Sequence, residues 1–475
     1  MSRPGVSGRL IVVVLASCGL VASFMQTLVV PLIPAFPRLL DASAADASWV
    51  VTVTLLAASV VTPVSGRLGD LYGKRRMVLI SLGLLIAGSV VSALTSSLAL
   101  MVVGRGLQGC AMGVIPLGIS IMRDELPPER VGGAISLMSA TLGVGGAVGL
   151  PVAAVVAENA DWHVLFWMSG ALGLLCGVLI VAVVPESPVR TPAPFDYFGA
   201  LGLAAGLLCL LLPVVKGGTW GWTSLPTLGL GAAAVVVLVC WGWYQLRRRD
   251  PLVDLRVSAR RPVLFTNLAS IMVGFALYAM ALSFPQLLQA PASTGYGLGQ
   301  TMVESGLTLA PNGLVMMALS PVSARLIARF GPRPTLMSGS LVIALGYGCA
   351  IVLMDNVAEL IVASVVIGAG VGIAYAAMPA LIMGSVPVTE TASANGLNSL
   401  MRAVGTATSS AVMAAMLAQL TITVGGVQVP SESGFRATFA VAALAAVAGL
   451  VLAALVPRVR EGKKLVSVAA GSIEG

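Results

Sequence analysis

The sequence predicts an all-α integral membrane protein of fourteen transmembrane helices, and three observations predict it. The 475 residues are 57% apolar with a mean hydropathy of +0.98. Only 10% are charged, where a soluble domain of this size carries about a quarter. The apolar residues fall in long runs, many reaching the roughly 20 residues that a helix needs to cross a bilayer core. Helices are the expected element, because lipid cannot satisfy open backbone groups.

Taken in order, the predicted spans cover residues 10–34, 48–64, 77–95, 98–122, 132–157, 164–184 and 197–215. The remaining seven cover 226–246, 263–288, 302–324, 334–354, 360–383, 394–420 and 435–456. Of the 27 Lys and Arg residues, 22 fall in segments on one side, two inside spans, and three (Arg38, Lys216 and Arg436) on the other. That asymmetry sets orientation by the positive-inside rule. Both termini are then cytoplasmic, as are the segments 66–76, 123–131, 185–196, 247–261, 325–333 and 385–393. The net charge of +8 reads as topology, so no nucleic-acid partner is expected. The first span is too long for a signal peptide and lacks a small-residue cleavage pattern.

The six cysteines all lie in apolar runs without a CxxC, so neither disulfides nor a metal site is expected. One histidine, no HExxH and no GxSxG argue against an enzyme, and no cofactor is called for. That histidine, His163, reads as a surface residue beside Asp161.

An internal repeat is visible. The run Ser65-Gly-Arg-Leu-Gly-Asp-Leu-Tyr-Gly-Lys-Arg75 aligns with Ser323-Ala-Arg-Leu-Ile-Ala-Arg-Phe-Gly-Pro-Arg333 at an offset of 258, and Ser136-Leu-Met138 with Ser399-Leu-Met401 at 263. A six-helix unit is used twice, as spans 1–6 and 9–14. This divides the chain into residues 1–190, an inserted helix pair at 191–250, and residues 251–475 with a cytoplasmic tail. Two such halves around a midplane cavity are a recurring transporter plan.

Three motifs stand out. The run from Gly66 through Arg67, Gly69, Asp70, Gly73, Lys74 and Arg75 to Arg76 combines glycines suited to a tight, close-packed turn with a carboxylate able to bind a helix N-terminus or an arginine. In span 4, Arg105, Gln108 and Gly109 form R-x-x-Q-G, and a charge inside a span is a functional candidate by default. In span 5, Gly145 and Gly149 are four apart, giving a flat face for close helix approach, with Pro151 just beyond.

On these motifs the chain resembles the major facilitator superfamily over nearly its whole length. Its loop motif, G-x-L-G/A-D-R/K-x-G-R/K-R/K, is matched except at Leu71. The family's span-4 arginine motif is matched at Arg105, Gln108 and Gly109, and span 5 loosely resembles the antiporter motif. Trp49, the run Asp161–Phe166 and the segment with Asn398, Arg402 and Gly405 extend the likeness to the fourteen-span drug:proton antiporter branch. The resemblance implies two pseudo-symmetric six-helix bundles plus two inserted central helices. It implies Asp70 as a latch of the outward-open state, and Arg105 as either a proton-coupling or a structural residue. It also implies a monomeric exporter of lipophilic, cationic or amphipathic compounds in exchange for protons, in a bacterial inner membrane. A dedicated exporter of one endogenous metabolite is the alternative.

One departure bears on coupling. Branch members carry an aspartate in span 1 where this chain has Met25. The remaining candidates for a proton or substrate site are Glu304, Asp124, Gln26, Asn312 and Arg402; Glu304 reads equally as a coupling acid or a solvated residue near a loop.

Overall fold

A computed structural model describes residues 7–29, 32–33, 35–187, 193–424 and 427–457. It holds fourteen helices long and apolar enough to cross a membrane, as the sequence predicts. Spans 1 to 7 are Gly8–Thr27, Trp49–Tyr72, Lys74–Ala93, Leu98–Glu125, Pro128–Val156, His163–Val183 and Tyr197–Trp220. Spans 8 to 14 are Leu225–Arg247, Arg261–Gln289, Met302–Phe330, Pro332–Val352, Val357–Met383, Val388–Gln419 and Glu432–Leu455.

Several boundaries differ from expectation, and three of the differences have a local reason. Span 1 ends at Thr27 rather than 34: Pro31 lacks the N–H that would bond the Thr27 carbonyl. The run from Gly66 to Tyr72 is not a loop but the last two turns of span 2. The chain reverses only at Gly73, whose φ of 116° suits glycine, and span 3 starts at Lys74. Between spans 13 and 14, where the sequence predicts only a connection, β1 (Thr421–Val424) pairs antiparallel with β2 (Val427–Pro430) in the register Thr421 to Pro430. The β-branched residues of that stretch favour strands.

Each half packs its own core. Spans 9–14 close around Phe284, Tyr347 and Phe439, with Phe284 and Phe439 edge to face at 5.2 Å. The Tyr347 hydroxyl donates to the Ala276 carbonyl. Spans 1 and 3–6 close around Leu15, Leu85, Ile119 and Met138 at the Arg-rich end, hereafter the basic end. Toward the other end, Phe24, Phe36, Met101 and Phe166 close a second cluster.

The inserted pair sits outside these cores. Span 7 lies in the groove between spans 2 and 13, Leu211 packing with Leu56 and Ala407. Asp196 knots the pair together: it caps span 7 at Gly199 N–H and accepts from Tyr244 and Gln245 of span 8. Lys216 is not on a loop. It is buried in span 7, donates to the Ser48 hydroxyl and lies 4.6 Å over the Trp49 ring. Span 8 is exposed along most of its length.

Candidate functional site

The two halves meet chiefly through two helix pairs, spans 2 with 13 and spans 5 with 10, with span 12 also packing on span 5. At the basic end the first pair is joined by Asp70. Its carboxylate accepts from Ala392 N–H at 3.3 Å and from Ser393 N–H at 2.8 Å. These are orphan donors in the first turn of the helix that starts at Thr391, whose own preceding residue, Glu390, makes no capping bond. An anion at a helix N-terminus satisfies those donors and the positive end of the dipole together. Span 2 thus supplies the cap of span 13.

The approach is close because Gly66 has no side chain: a Cβ there would collide with the Ala392 carbonyl. Gly69 makes room for Leu117 of span 4 in the same way. Both glycines therefore serve helix contact rather than a turn, and only Gly73 turns the chain.

Lys74 completes the junction. It is fully buried, with its Nζ 2.6 Å from Asp124 of span 4, 3.8 Å from Asp70 and 3.4 Å from the Thr391 hydroxyl. Asp124 also accepts from Ser187 at 2.6 Å. Asp124 thereby joins the Asp70 and Lys74 cluster between spans 2, 3, 4 and 13. Arg67 is buried. Arg75 turns the other way, to the Val181 carbonyl of span 6 at 2.8 Å. Met383 and Ala392, at the basic ends of spans 12 and 13, pack into the core of the first half beside Met138. The two halves are thus packed together at the basic end.

Span 5 makes the second junction with its glycines on two faces. Gly145 and Gly149 receive Ser23 and Thr27 of span 1, and the two hydroxyls donate to the Leu142 and Gly145 carbonyls. On the face toward span 10, Gly143 meets Met316, a Cβ on Gly313 would strike the Gly143 carbonyl, and Pro151 lies against Gly306. Gly313 and Gly306 are not among the residues the sequence singles out, because a lone glycine in an apolar run carries no signal of what it faces.

Inside the halves, two arginines organise polar networks. Arg105 is 1% exposed. It donates to the Val50 carbonyl at 3.3 Å, the Met25 carbonyl at 3.4 Å and Gln108 Oε1 at 2.6 Å. Gln108 passes the chain to Ser89, which donates to Ser169. Spans 1, 2, 3, 4 and 6 are thus tied at one level, and Gly109 lets span 4 approach the Thr54 carbonyl. Arg402 donates to Asn398 and Ser399 and lies 5.2 Å from the Tyr375 ring. Asn398 in turn reaches Asn267 and Ser270 of span 9. Among the described residues neither arginine has a carboxylate within ion-pair reach.

The other candidates are dispersed. Asn312 donates to Met280 Sδ at 3.0 Å and packs on Gly368, joining spans 9, 10 and 12. Gln26 is half-buried on span 1. Glu304 is exposed at the start of span 10, in a capping box with Thr301. His163 pairs with Asp161 at 2.6 Å and stacks on Trp162.

Comparison with known proteins agrees with this frame. The sequence matches the Major Facilitator Superfamily over residues 15–312 and again over 269–472. It is 28% identical over 389 residues to a tetracenomycin C resistance and export protein of Streptomyces glaucescens, covering 81% of this chain and 71% of that one. Multidrug resistance protein Stp of Mycobacterium tuberculosis is 26% identical over 414 residues, with 86% and 76% covered. Multidrug resistance protein 3 of Bacillus subtilis is 23% identical over 366 residues, with 75% and 70% covered. The human organic anion transporter MFSD10 superposes with a TM-score of 0.67 at 15% identity, covering 95% of this chain and all of that one. The proton:xylose symporter XylE gives the same TM-score at 14% identity, covering 95% and 96%. Fourteen apolar helices, halves joined through spans 2 and 13 and spans 5 and 10, and these relatives lead to one assignment: the chain is a multi-pass membrane transporter of the Major Facilitator Superfamily.

Proposed function

We propose that this transporter exports lipophilic drugs or other toxic compounds from a bacterial cell by alternating access, in exchange for protons, as a functional monomer in the inner membrane. The basic end is then cytoplasmic, as are both termini. Residues 1–190 rock against residues 251–475, with the pair at 191–250 carried in the groove between them. The carrying observation is the bond from Asp70 to the N–H groups of Ala392 and Ser393. It crosses between the halves at the basic end, so it must break for that end to open. It supports a latch that holds the inward gate shut until substrate or a proton weighs against it.

The electrostatics bear on the substrate. Arg105 and Arg402 place two cations inside the spans without carboxylate partners among the described residues. That supports lipophilic neutral or anionic compounds over cations, and departs from the sequence-based expectation of cationic substrates. The relatives named for resistance and export support the outward direction. A second reading, export of one endogenous metabolite, is favoured by the tetracenomycin C relative and by Met25 in the place of the branch's aspartate.

The test uses inverted vesicles with an acidified interior and a pH-quenched dye, challenged with lipophilic cations, neutral antibiotics and anions. Dye recovery with several unrelated compounds supports proton-coupled multidrug export. Recovery with a single compound supports the dedicated exporter. Silence throughout, with the protein present and folded, overturns proton-coupled multidrug export and leaves a single substrate outside the panel or another coupling ion.

A further inference from the structure

The internal repeat extends to side-chain detail at the basic ends of spans 3 and 11, and there the halves part. Arg75 and Arg333, aligned by the repeat, each send Nη2 to a backbone carbonyl at the end of their own half's last helix. Arg75 reaches Val181 of span 6 at 2.8 Å, and Arg333 reaches Ala454 of span 14 at 2.6 Å. In both, Nε is buried without a hydrogen-bond partner. A cation suits a helix C-terminus, where carbonyls are orphaned and the dipole is negative.

In the first half the chain leaves span 6 as Ala182-Val-Val-Pro-Glu186. Glu186 turns back to accept from the N–H groups of Arg75 at 3.2 Å and Arg76 at 3.3 Å. A carboxylate therefore fills the corner between spans 3 and 6.

In the second half the chain leaves span 14 as Ala454-Leu-Val-Pro-Arg458. The aligned residue is basic, and it lies outside the described residues. The corner is instead a cleft of about 520 Å³ lined by Arg261, Phe265, Arg333, Leu455, Val456 and Pro457, together with Ala454, whose carbonyl accepts from Arg333. Among the described residues that line it there are two guanidinium groups, no acid and mostly apolar side chains. Leu455 is 52% exposed, so the cleft is open at an apolar residue near the end of span 14.

We propose that this cleft binds the phosphate of an anionic phospholipid headgroup from the leaflet at the basic end. Arg261 and Arg333 hold the phosphate where the first half has Glu186. Phe265, Leu455 and Val456 take the first acyl carbons. Basic pockets between helices are a recurring means of holding acidic headgroups. This binding requires neither transport nor a particular substrate.

The test measures lipid binding to the purified full chain by native mass spectrometry, with phosphatidylglycerol and phosphatidylcholine of equal chain length. Arg333 also holds span 14, so the deciding variant is Arg261→Gln, with Arg329→Gln as the charge-matched control outside the cleft. The expected result is preferential retention of phosphatidylglycerol. Its affinity falls about fivefold in Arg261→Gln, as loss of one interfacial cation implies, while Arg329→Gln matches wild type at equal melting temperature. Equal retention of the two lipids overturns the proposal, as does an equal loss in both variants. Displacement by inorganic phosphate overturns the lipid assignment in favour of a soluble anion.

Discussion

Nη1 of Arg105 lies 3.5 Å from the Sδ of Met25 and 3.4 Å from its carbonyl oxygen. The residue at position 25 thus faces the buried guanidinium, and in this chain it offers a thioether that cannot take up a proton. A carboxylate there would sit against a fixed cation, and its protonation would loosen spans 1 and 4. Met25→Asp is expected to fold and to make transport steeper in pH, while Met25→Leu keeps the wild-type profile. Rates in vesicles across the neutral range decide it. Overlapping profiles for the aspartate variant and wild type would mean that position 25 does not couple to protons.

The Asp70 cap is expected to set the balance between gate states. Asp70→Asn keeps the shape of the side chain but loses the charge that the N-terminus of span 13 favours, a loss of up to about 2 kcal/mol in partly buried geometry. The population with the basic end open should rise by roughly an order of magnitude. Spin-label distances between the basic ends of spans 2 and 13 report that population. An unchanged distance distribution would remove Asp70 from the role of latch.

Asp70 is legible in the sequence, because an acid among basic residues at a span end has few uses. Its partners are not: backbone N–H groups at positions 392 and 393 have no side-chain signature. The same division runs through the fold. The number and order of the spans can be read, because a bilayer demands long apolar runs. The end of span 2 cannot, because three glycines and several charges imitate a loop. Here Lys74, Asp70 and Asp124 satisfy one another inside the protein, and the helix continues to Tyr72. The pair Arg105 and Gln108 is visible from its spacing of three on one helix face. Ser89 and Met25, which complete the network, are adjacent only after spans 1, 3 and 4 pack. The pairing of Arg333 with span 14 is hidden for the same reason.

Lys74 sits between two carboxylates with no solvent exposure. Lys74→Met leaves Asp70 and Asp124 without their shared cation, and an unpaired buried charge costs roughly 3–5 kcal/mol. The variant should melt well below wild type in detergent, and Lys74→Met with Asp124→Asn should recover much of the loss. A double variant no more stable than the single one would show that Asp124 is not the group Lys74 neutralises.

The glycines of the two junctions should separate sharply from those that face open space. A methyl group at Gly66 or Gly313 would strike a backbone carbonyl of the opposite half, which cannot rotate away as a side chain can. Overpacking of this kind costs about 1–3 kcal/mol, and here it falls on whichever state brings the helices together. Gly132 and Gly133 in span 5 have nothing within 4 Å of the point where a Cβ would stand, and alanine there should be neutral or favourable by up to about 1 kcal/mol through helix propensity. Transport and melting temperature are measured for all four alanine variants. Gly66→Ala and Gly313→Ala should lose most of their transport, and Gly132→Ala and Gly133→Ala should keep theirs. Equal activity across the four would mean that the halves do not depend on close approach at these crossings, and the two-junction account of their motion would fall with it.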